Sequence, residues 1–151
     1  MDEIKPLSIT DAENVYKPIL DLVIKYQGYP PQFKASNATV RWNGIGKDGG
    51  VGLFPLAGAI YLSRYVDGSY RAQFPFQIVL RRSPTANKDS MEAQLALESL
   101  GKWLEECAIA FKDDRLSLES IKRTSPVFCA AQDQSHTDYG INMQLIYSFD
   151  N

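Results

Sequence analysis

Near the end of the chain, Tyr139, Ile141, Met143, Leu145, Tyr147 and Phe149 alternate with Gly140, Asn142, Gln144, Ile146 and Ser148. Side chains on a strand point alternately to its two faces, so this alternation predicts a strand buried on one face. The stretch before it, "LESIKRTSPVFCAAQ", reads as extended, with Pro126 marking an edge or a bulge because proline lacks a ladder donor. "DQSH" supplies the turn between them, giving a C-terminal hairpin over about 119–149. A second hairpin is predicted over about 58–82, in "GAIYLSRYVDGSYRAQFPFQIVLRR". Asp67-Gly68 suits a two-residue type I′ turn, which needs positive φ at both central positions. Folding there pairs Val66 with Ser69, Tyr65 with Tyr70, Ser63 with Ala72 and Tyr61 with Phe74. That register gathers Tyr61, Tyr65, Tyr70, Phe74 and Phe76 on one face and sends Arg64, Arg71 and Gln73 to the other. Pro75 marks an edge or a bulge in the second strand of this hairpin.

Two segments carry the helical period. Tyr16, Ile19, Leu20, Val23 and Ile24 form an apolar stripe over about 10–27. Thr10-x-x-Glu13 fits a capping box, Pro18 predicts a kink or a later start, and Gly28 with Pro30-Pro31 ends the helix. Ala93, Leu97, Leu100, Leu104, Ala108 and Phe111 recur at three and four residues, predicting a main helix over about 88–111 that lies across the sheet. Asn87 or Asp89-x-x-Glu92 can cap it. Gly101 lowers helix propensity by about 1 kcal/mol relative to alanine, a sign of close packing. Between Tyr29 and about Pro55 no long periodic segment appears; "ATVRW" could be a short strand, and residues 41–56 read as a glycine-rich arm. The order helix, hairpin, helix, hairpin predicts one α+β domain over 1–151: a mainly antiparallel sheet of two β-hairpins with helices packed on one face.

A chain of 151 residues, 44% hydrophobic and 23% charged, can bury a core without metal or disulfide. Its net charge of −2, from 16 basic and 18 acidic residues, disfavours tight duplex binding, which draws on a basic surplus. Cys107 and Cys129 lack a disulfide or zinc spacing and read as two small buried apolar residues in a reducing compartment. "MDEIKPLSIT" is not a signal peptide, and no run reaches the roughly 18 apolar residues of a membrane span. The expectation is a soluble protein made in a cytoplasm.

Candidate chemistry is sparse. Gly44-x-Gly46-x-x-Gly49 has the spacing of a phosphate-cradling loop, but a dinucleotide fingerprint places a helix after its glycines, and here a strand follows. Lys47 precedes Asp48, so GK[ST] is absent. The glycines read better as allowing unusual backbone angles or a close approach to another chain. His136, the single histidine, lies in a turn between Asp133 and Asp138, where such residues serve the backbone. A serine or cysteine nucleophile would depend on that histidine or an unidentified lysine, and G-x-S-x-G does not occur. Glu105, Glu106, Asp113 and Asp114 read as a solvated face. We therefore expect no catalytic residues, no cofactor and no metal.

A mixture of arginines and aromatics remains, in Arg41, Trp42, Phe54, Arg64, Arg71, Arg81 and Arg82. It could meet single-stranded nucleic acid, where aromatics stack and arginines track phosphates. The near-neutral balance favours a protein partner, for which the same residue types are the usual anchors. The candidate interface is these residues together with Asn43, Gly44, Ile45, Gly46 and Lys47.

From about Thr39 to Phe149 the chain resembles the bacteriophage minor capsid proteins of tailed phages and prophages of Gram-positive bacteria. The pieces that carry the resemblance are "WNG", "AGAIYLSRY", "AQFPF", "LGKWLE" and "RTSP". Leu56-Ala57 departs from an expected proline–glycine. Such proteins are encoded among head–tail joining genes, and their element order is similar to that of tail terminators. The resemblance implies a virion neck component, assembled in a host bacterial cytoplasm. Its implied form is a closed, hexameric ring that caps the tail tube and docks to the head connector or stopper. Genomic DNA would only pass through the lumen, and no membrane would be involved. It transfers no catalytic residues, and it makes the glycine-rich segment a docking arm. A stopper or adaptor of the same junction, and a small phosphate-binding domain, are the alternatives.

Overall fold

The computed structural model describes residues 9–29, 40–46, 49–82 and 87–151. Two helices and seven strands occur among them: α1 (Ile9–Lys25), β1 (Val40–Trp42), β2 (Gly50–Pro55), β3 (Tyr61–Arg64), β4 (Tyr70–Arg82), α2 (Asn87–Glu106), β5 (Leu116–Arg123), β6 (Phe128–Gln132) and β7 (Thr137–Phe149). The strands form a single sheet in the order β1-β2-β4-β7-β5, with β3 also pairing β4 and β6 also pairing β7.

This overturns the expected α+β sheet of two hairpins with helices packed on one face. The protein is mostly β, and its seven-stranded sheet is mixed because β1 runs parallel to β2. The centre is the antiparallel pair β4–β7, in register from Tyr70 opposite Phe149 to Arg82 opposite Thr137. Each of these long strands carries two short strands in succession on its outer edge. β2 and β3 share the outer edge of β4, and β5 and β6 share that of β7. Two strands come from the glycine-rich segment, and the first arm of the C-terminal hairpin is broken into β5 and β6. The break falls at residues 124–127, around Pro126.

The first hairpin turns differently from the predicted type I′ geometry. Gly68 donates to the Tyr65 carbonyl (3.1 Å) and Tyr65 donates to the Ser69 carbonyl (2.9 Å), so Arg64, not Tyr65, stands opposite Tyr70. Gly68 alone in this turn has a positive φ, at 94°, while a type I′ turn would need Asp67 positive as well. Asp67 instead accepts from the Ser69 backbone N–H and hydroxyl. A bulge between Tyr61 and Ser63 then sets Tyr61 opposite Ala72.

One face of the sheet carries the core. Ala72, Phe74, Phe76, Ile78 and Leu80 alternate along β4, and Ile141, Met143, Leu145 and Tyr147 alternate along β7. Both helices pack there. α1 contributes Val15, Ile19 and Val23, continuing through Pro18, which has no N–H to offer the preceding turn. The helix already runs at Ile9, so Thr10 lies inside it; the proposed Pro30-Pro31 stop lies outside the described residues. α2 contributes Ala93, Leu97, Leu100 and Leu104. It ends at Glu106, earlier than the periodicity suggested. Two acidic residues fill its last turn, where the helix dipole favours bases, and Glu105 leaves to bind Arg123 (2.8 Å). Phe111 reaches the core from the extended segment beyond, against Tyr147, and Ala108 is exposed. At Gly101 α2 comes close to the sheet: a Cβ there would lie 2.9 Å from both Arg123 Cδ and Ile141 Cδ1.

Candidate interaction surfaces

The glycine-rich segment is the point where the sequence raised a functional question, and its geometry is that of a return loop. Neighbouring parallel strands ordinarily need a crossover of a dozen or more residues. Here β1 is followed after only residues 43–49 by β2, with Val40 opposite Val51. So short a return demands backbone angles that L side chains rarely adopt. Asn43 (φ 56°), Gly49 (141°) and Gly50 (137°) supply them. The loop lies back on the sheet: the Gly44 carbonyl sits where a Cβ on Gly52 would come within 2.6 Å of it, and the Phe54 ring closes the same site. No helix begins at these glycines, so the backbone donors that would cradle a phosphate are not assembled by a helix N-terminus.

The arm is thus only partly an arm. Val51 and Leu53 are fully buried in the core, and Trp42 stacks on Tyr16 (5.2 Å between ring centres) and Phe74 (5.9 Å). Arg41 and Asn43 are exposed, Gly44, Ile45 and Gly46 are half-buried, and Lys47 lies outside the described residues. The alternation of Val51 and Leu53 with Gly50, Gly52 and Phe54 is a period-two signal that glycine content obscured.

The face opposite the helices is polar along its middle. Gln77 donates to Asn142 (3.1 Å), and Gln144 donates to Gln73. Two of the arginines proposed as interface residues lie far apart along this face, each in an ion pair. At one end Arg81 makes two bonds to Asp138 (2.8 and 2.9 Å), and the carboxylate raises the guanidinium's pKa. Arg81 also reaches the Gly46 carbonyl at 3.5 Å. At the other end Arg71 bonds Glu119 (2.6 Å), which also accepts from Ser148 (2.8 Å). These two donors hold the Glu119 carboxyl below its ordinary value. Beside this pair is a shallow groove of about 590 Å³, lined in part by Tyr65, Tyr70 and Phe149. Arg64 lies over the Tyr61 ring, 4.6 Å from its centre. Arg82 has a buried Nη1 with no hydrogen-bond partner among the described residues.

The histidine turn is accounted for by its own backbone. The Asp133 carboxylate accepts from the Ser135 N–H and hydroxyl (both 2.7 Å) and from the His136 N–H (2.8 Å), which lower its pKa to about 2. His136 Nδ1 lies 3.0 Å from Ser135 Oγ, but that hydroxyl is committed to Asp133, so among the described residues it offers the imidazole no free nucleophile. Among the described residues no group of three or more His, Cys, Asp or Glu side chains is placed to hold a metal. None of their helices is long and apolar enough to cross a membrane.

Sequence reasoning missed Glu105, Glu119 and Asp138 as partners, since ion pairs across strands leave no local pattern. It took both cysteines as buried, whereas Cys129 is exposed and Cys107 half-buried, and it missed where apolar side chains stay exposed. Among the described residues the large ones are Ile60, Leu62, Tyr65 and Val66 on the first hairpin, and Met91 and Leu95 on α2.

No family model and no curated protein matches the chain. One similar solved structure covers 94% of this chain and 94% of its own, at 13% identity and a TM-score of 0.47. A likeness at that level carries no argument about fold or function.

Proposed function

We propose that this chain is a structural virion protein of a tailed bacteriophage, a tail terminator or neck ring subunit that caps the tail tube and docks to the head connector. The observation that carries the reading is where the motifs of the resemblance fall. Trp42 of "WNG" stacks on Phe74 of "AQFPF". Gly101 of "LGKWLE" packs on Arg123 of "RTSP", whose guanidinium is held by Glu105 of that same helix motif. The recognisable residues therefore serve packing and cross-element pairing. None of them converges on a cleft with a nucleophile and base, as an enzyme family's recognisable residues do.

A ring subunit needs two different surfaces that meet head to tail and close. Among the described residues the sheet has unlike edges on its two sides, β1 and β3 on one and β5 and β6 on the other. A stopper or adaptor at the same junction would use the same features.

The test is to purify particles from an induced culture and locate this chain by mass spectrometry and by labelling in electron micrographs. Its presence at the head–tail junction is the expected result. A chain absent from particles would refute the reading. So would calorimetric binding of ATP, NAD or an oligonucleotide that disappears in Gly46→Val, which would move the function to the glycine loop.

A further inference from the structure

We propose that Asn43 is a site of spontaneous covalent modification: its side-chain amide condenses with the Gly44 nitrogen, and the return loop leaves that reaction open in the folded chain. Asn43-Gly44 is the single Asn-Gly pair in the sequence. Glycine has no Cβ to shield its nitrogen, so this pair closes the ring more readily than asparagine before any other residue. The Gly44 nitrogen attacks Asn43 Cγ and forms a C–N bond. The Asn43 side-chain nitrogen departs as ammonia, taking up the Gly44 amide proton, and a five-membered succinimide remains. Water then adds to one of the two ring carbonyls and opens the ring, leaving aspartate or isoaspartate at position 43. No oxidant or cofactor enters.

The structure leaves the reacting atoms free. The Asn43 side chain is exposed. Among the described residues neither that side chain nor the Gly44 N–H has a hydrogen-bond partner; the pair is anchored through the Asn43 N–H, which donates to the Leu53 carbonyl (2.8 Å). A Cβ placed on Gly44 would find only the Trp42 carbonyl oxygen, 4.0 Å away.

Asp67-Gly68 could form the same ring by losing water, and there the fold holds every part of it. The Gly68 N–H donates to the Tyr65 carbonyl (3.1 Å). Both carboxylate oxygens of Asp67 accept from Ser69, one from its N–H (2.9 Å) and one from its hydroxyl (3.1 Å). Asn151 donates to the Asp67 carbonyl (2.6 Å), which fixes the peptide that would have to turn. Related dipeptides thus meet opposite surroundings.

Ring closure at Asn43 requires the peptide between 43 and 44 to turn, which takes the Gly44 carbonyl off Gly52. Lifting of the loop therefore gates the reaction. Either product adds a negative charge two residues from the exposed Arg41, and isoaspartate also adds a carbon to the backbone of a short return.

The experiment incubates the folded full chain and the free peptide RWNGIG, residues 41–46, in the same mildly alkaline buffer. Conversion is read by mass spectrometry of digests, as a gain of about one mass unit at residue 43, and by labelling with isoaspartyl methyltransferase. Opening one loop costs a small part of the global unfolding free energy, so the folded chain should convert within about a hundredfold of the peptide rate. Gly44→Ala, for which the loop has room, should keep its circular dichroism and slow the gain several-fold, and Gly52→Ala should speed it. Conversion slower than that hundredfold limit overturns the proposal, as does an undiminished gain in folded Gly44→Ala. A Gly52→Ala rate equal to the parent's overturns the gating, and isoaspartate forming at Asp67 as fast as at Asn43 overturns the argument from hydrogen bonding.

Discussion

Arg81 and Asp138 stand directly opposite each other on the two central strands, and the guanidinium grips the carboxylate through two bonds of 2.8 and 2.9 Å. The acid is largely buried, with 8% of its side chain exposed against 18% for the arginine. Removing one partner of such a pair leaves the other's charge uncompensated. Arg81→Met should therefore cost about 3 kcal/mol in urea unfolding. Arg81→Met with Asp138→Leu should recover most of that loss. A single variant as stable as the parent would show that the pair contributes nothing.

Gly52 lies under the return loop, and its substitution tests whether that loop is part of the fold. A Cβ there would come 2.6 Å from the Gly44 carbonyl and 2.5 Å from Phe54 Cε2. Phe54 can turn aside, but the Gly44 carbonyl is backbone, so the loop itself must lift. Gly52→Ala should destabilise by about 1–3 kcal/mol, the range for overpacking, and should speed proteolytic cutting within 43–49. Unchanged cleavage kinetics there would mean that the loop is not laid on the sheet.

At Gly101 two effects oppose each other. Alanine improves helix propensity by about 1 kcal/mol, while its methyl group meets Arg123 and Ile141. Arg123 cannot swing away freely, because Glu105 accepts both its backbone N–H and its side chain (3.0 Å each). Gly101→Ala should lose about 1 kcal/mol net and Gly101→Val distinctly more, read from denaturation midpoints. A stabilised alanine variant would show that the helix has room at this point.

Acid should loosen the α2–β5 junction. Burial pushes the Glu105 carboxyl upward, but the Arg123 backbone N–H and guanidinium outweigh it and leave the pKa below its ordinary value of 4.5. A carboxyl depressed in the folded state stabilises fully above its unfolded value, and that contribution fades as pH falls toward the folded one. The melting temperature should accordingly decline as the solution is acidified below pH 4.5, and Glu105→Gln should flatten that part of the decline. Glu119, depressed by Arg71 and Ser148, contributes in the same direction. An identical acid profile for the glutamine variant would rule out Glu105 as a contributor.

Much of the local structure was legible from periodicity. The stripe of Ile19 and Val23, that of Leu97, Leu100 and Leu104, and the alternation from Tyr139 to Phe149 all lie on the elements they predicted. The Asp67-Gly68 turn was located but its type was misjudged, because one positive φ followed by a bulge also satisfies the strands. The candidate site was less legible. Trp42 and Arg81 looked like available anchors, yet one stacks in the core and the other is held by Asp138.

By itself the sequence determined most of the segments that coil or extend and where the hairpins turn, since those preferences arise among residues a few places apart. Only the tertiary structure decided which strands are neighbours. The pairing of β4 with β7, the recruitment of β1 and β2 into the sheet, and the bond between Arg81 and Asp138, 57 positions apart, were settled there. Such long-range choices depend on burying one common apolar face, and many sheet orders share the same local pattern. That is why a chain read as two hairpins folds as a mixed, seven-stranded sheet.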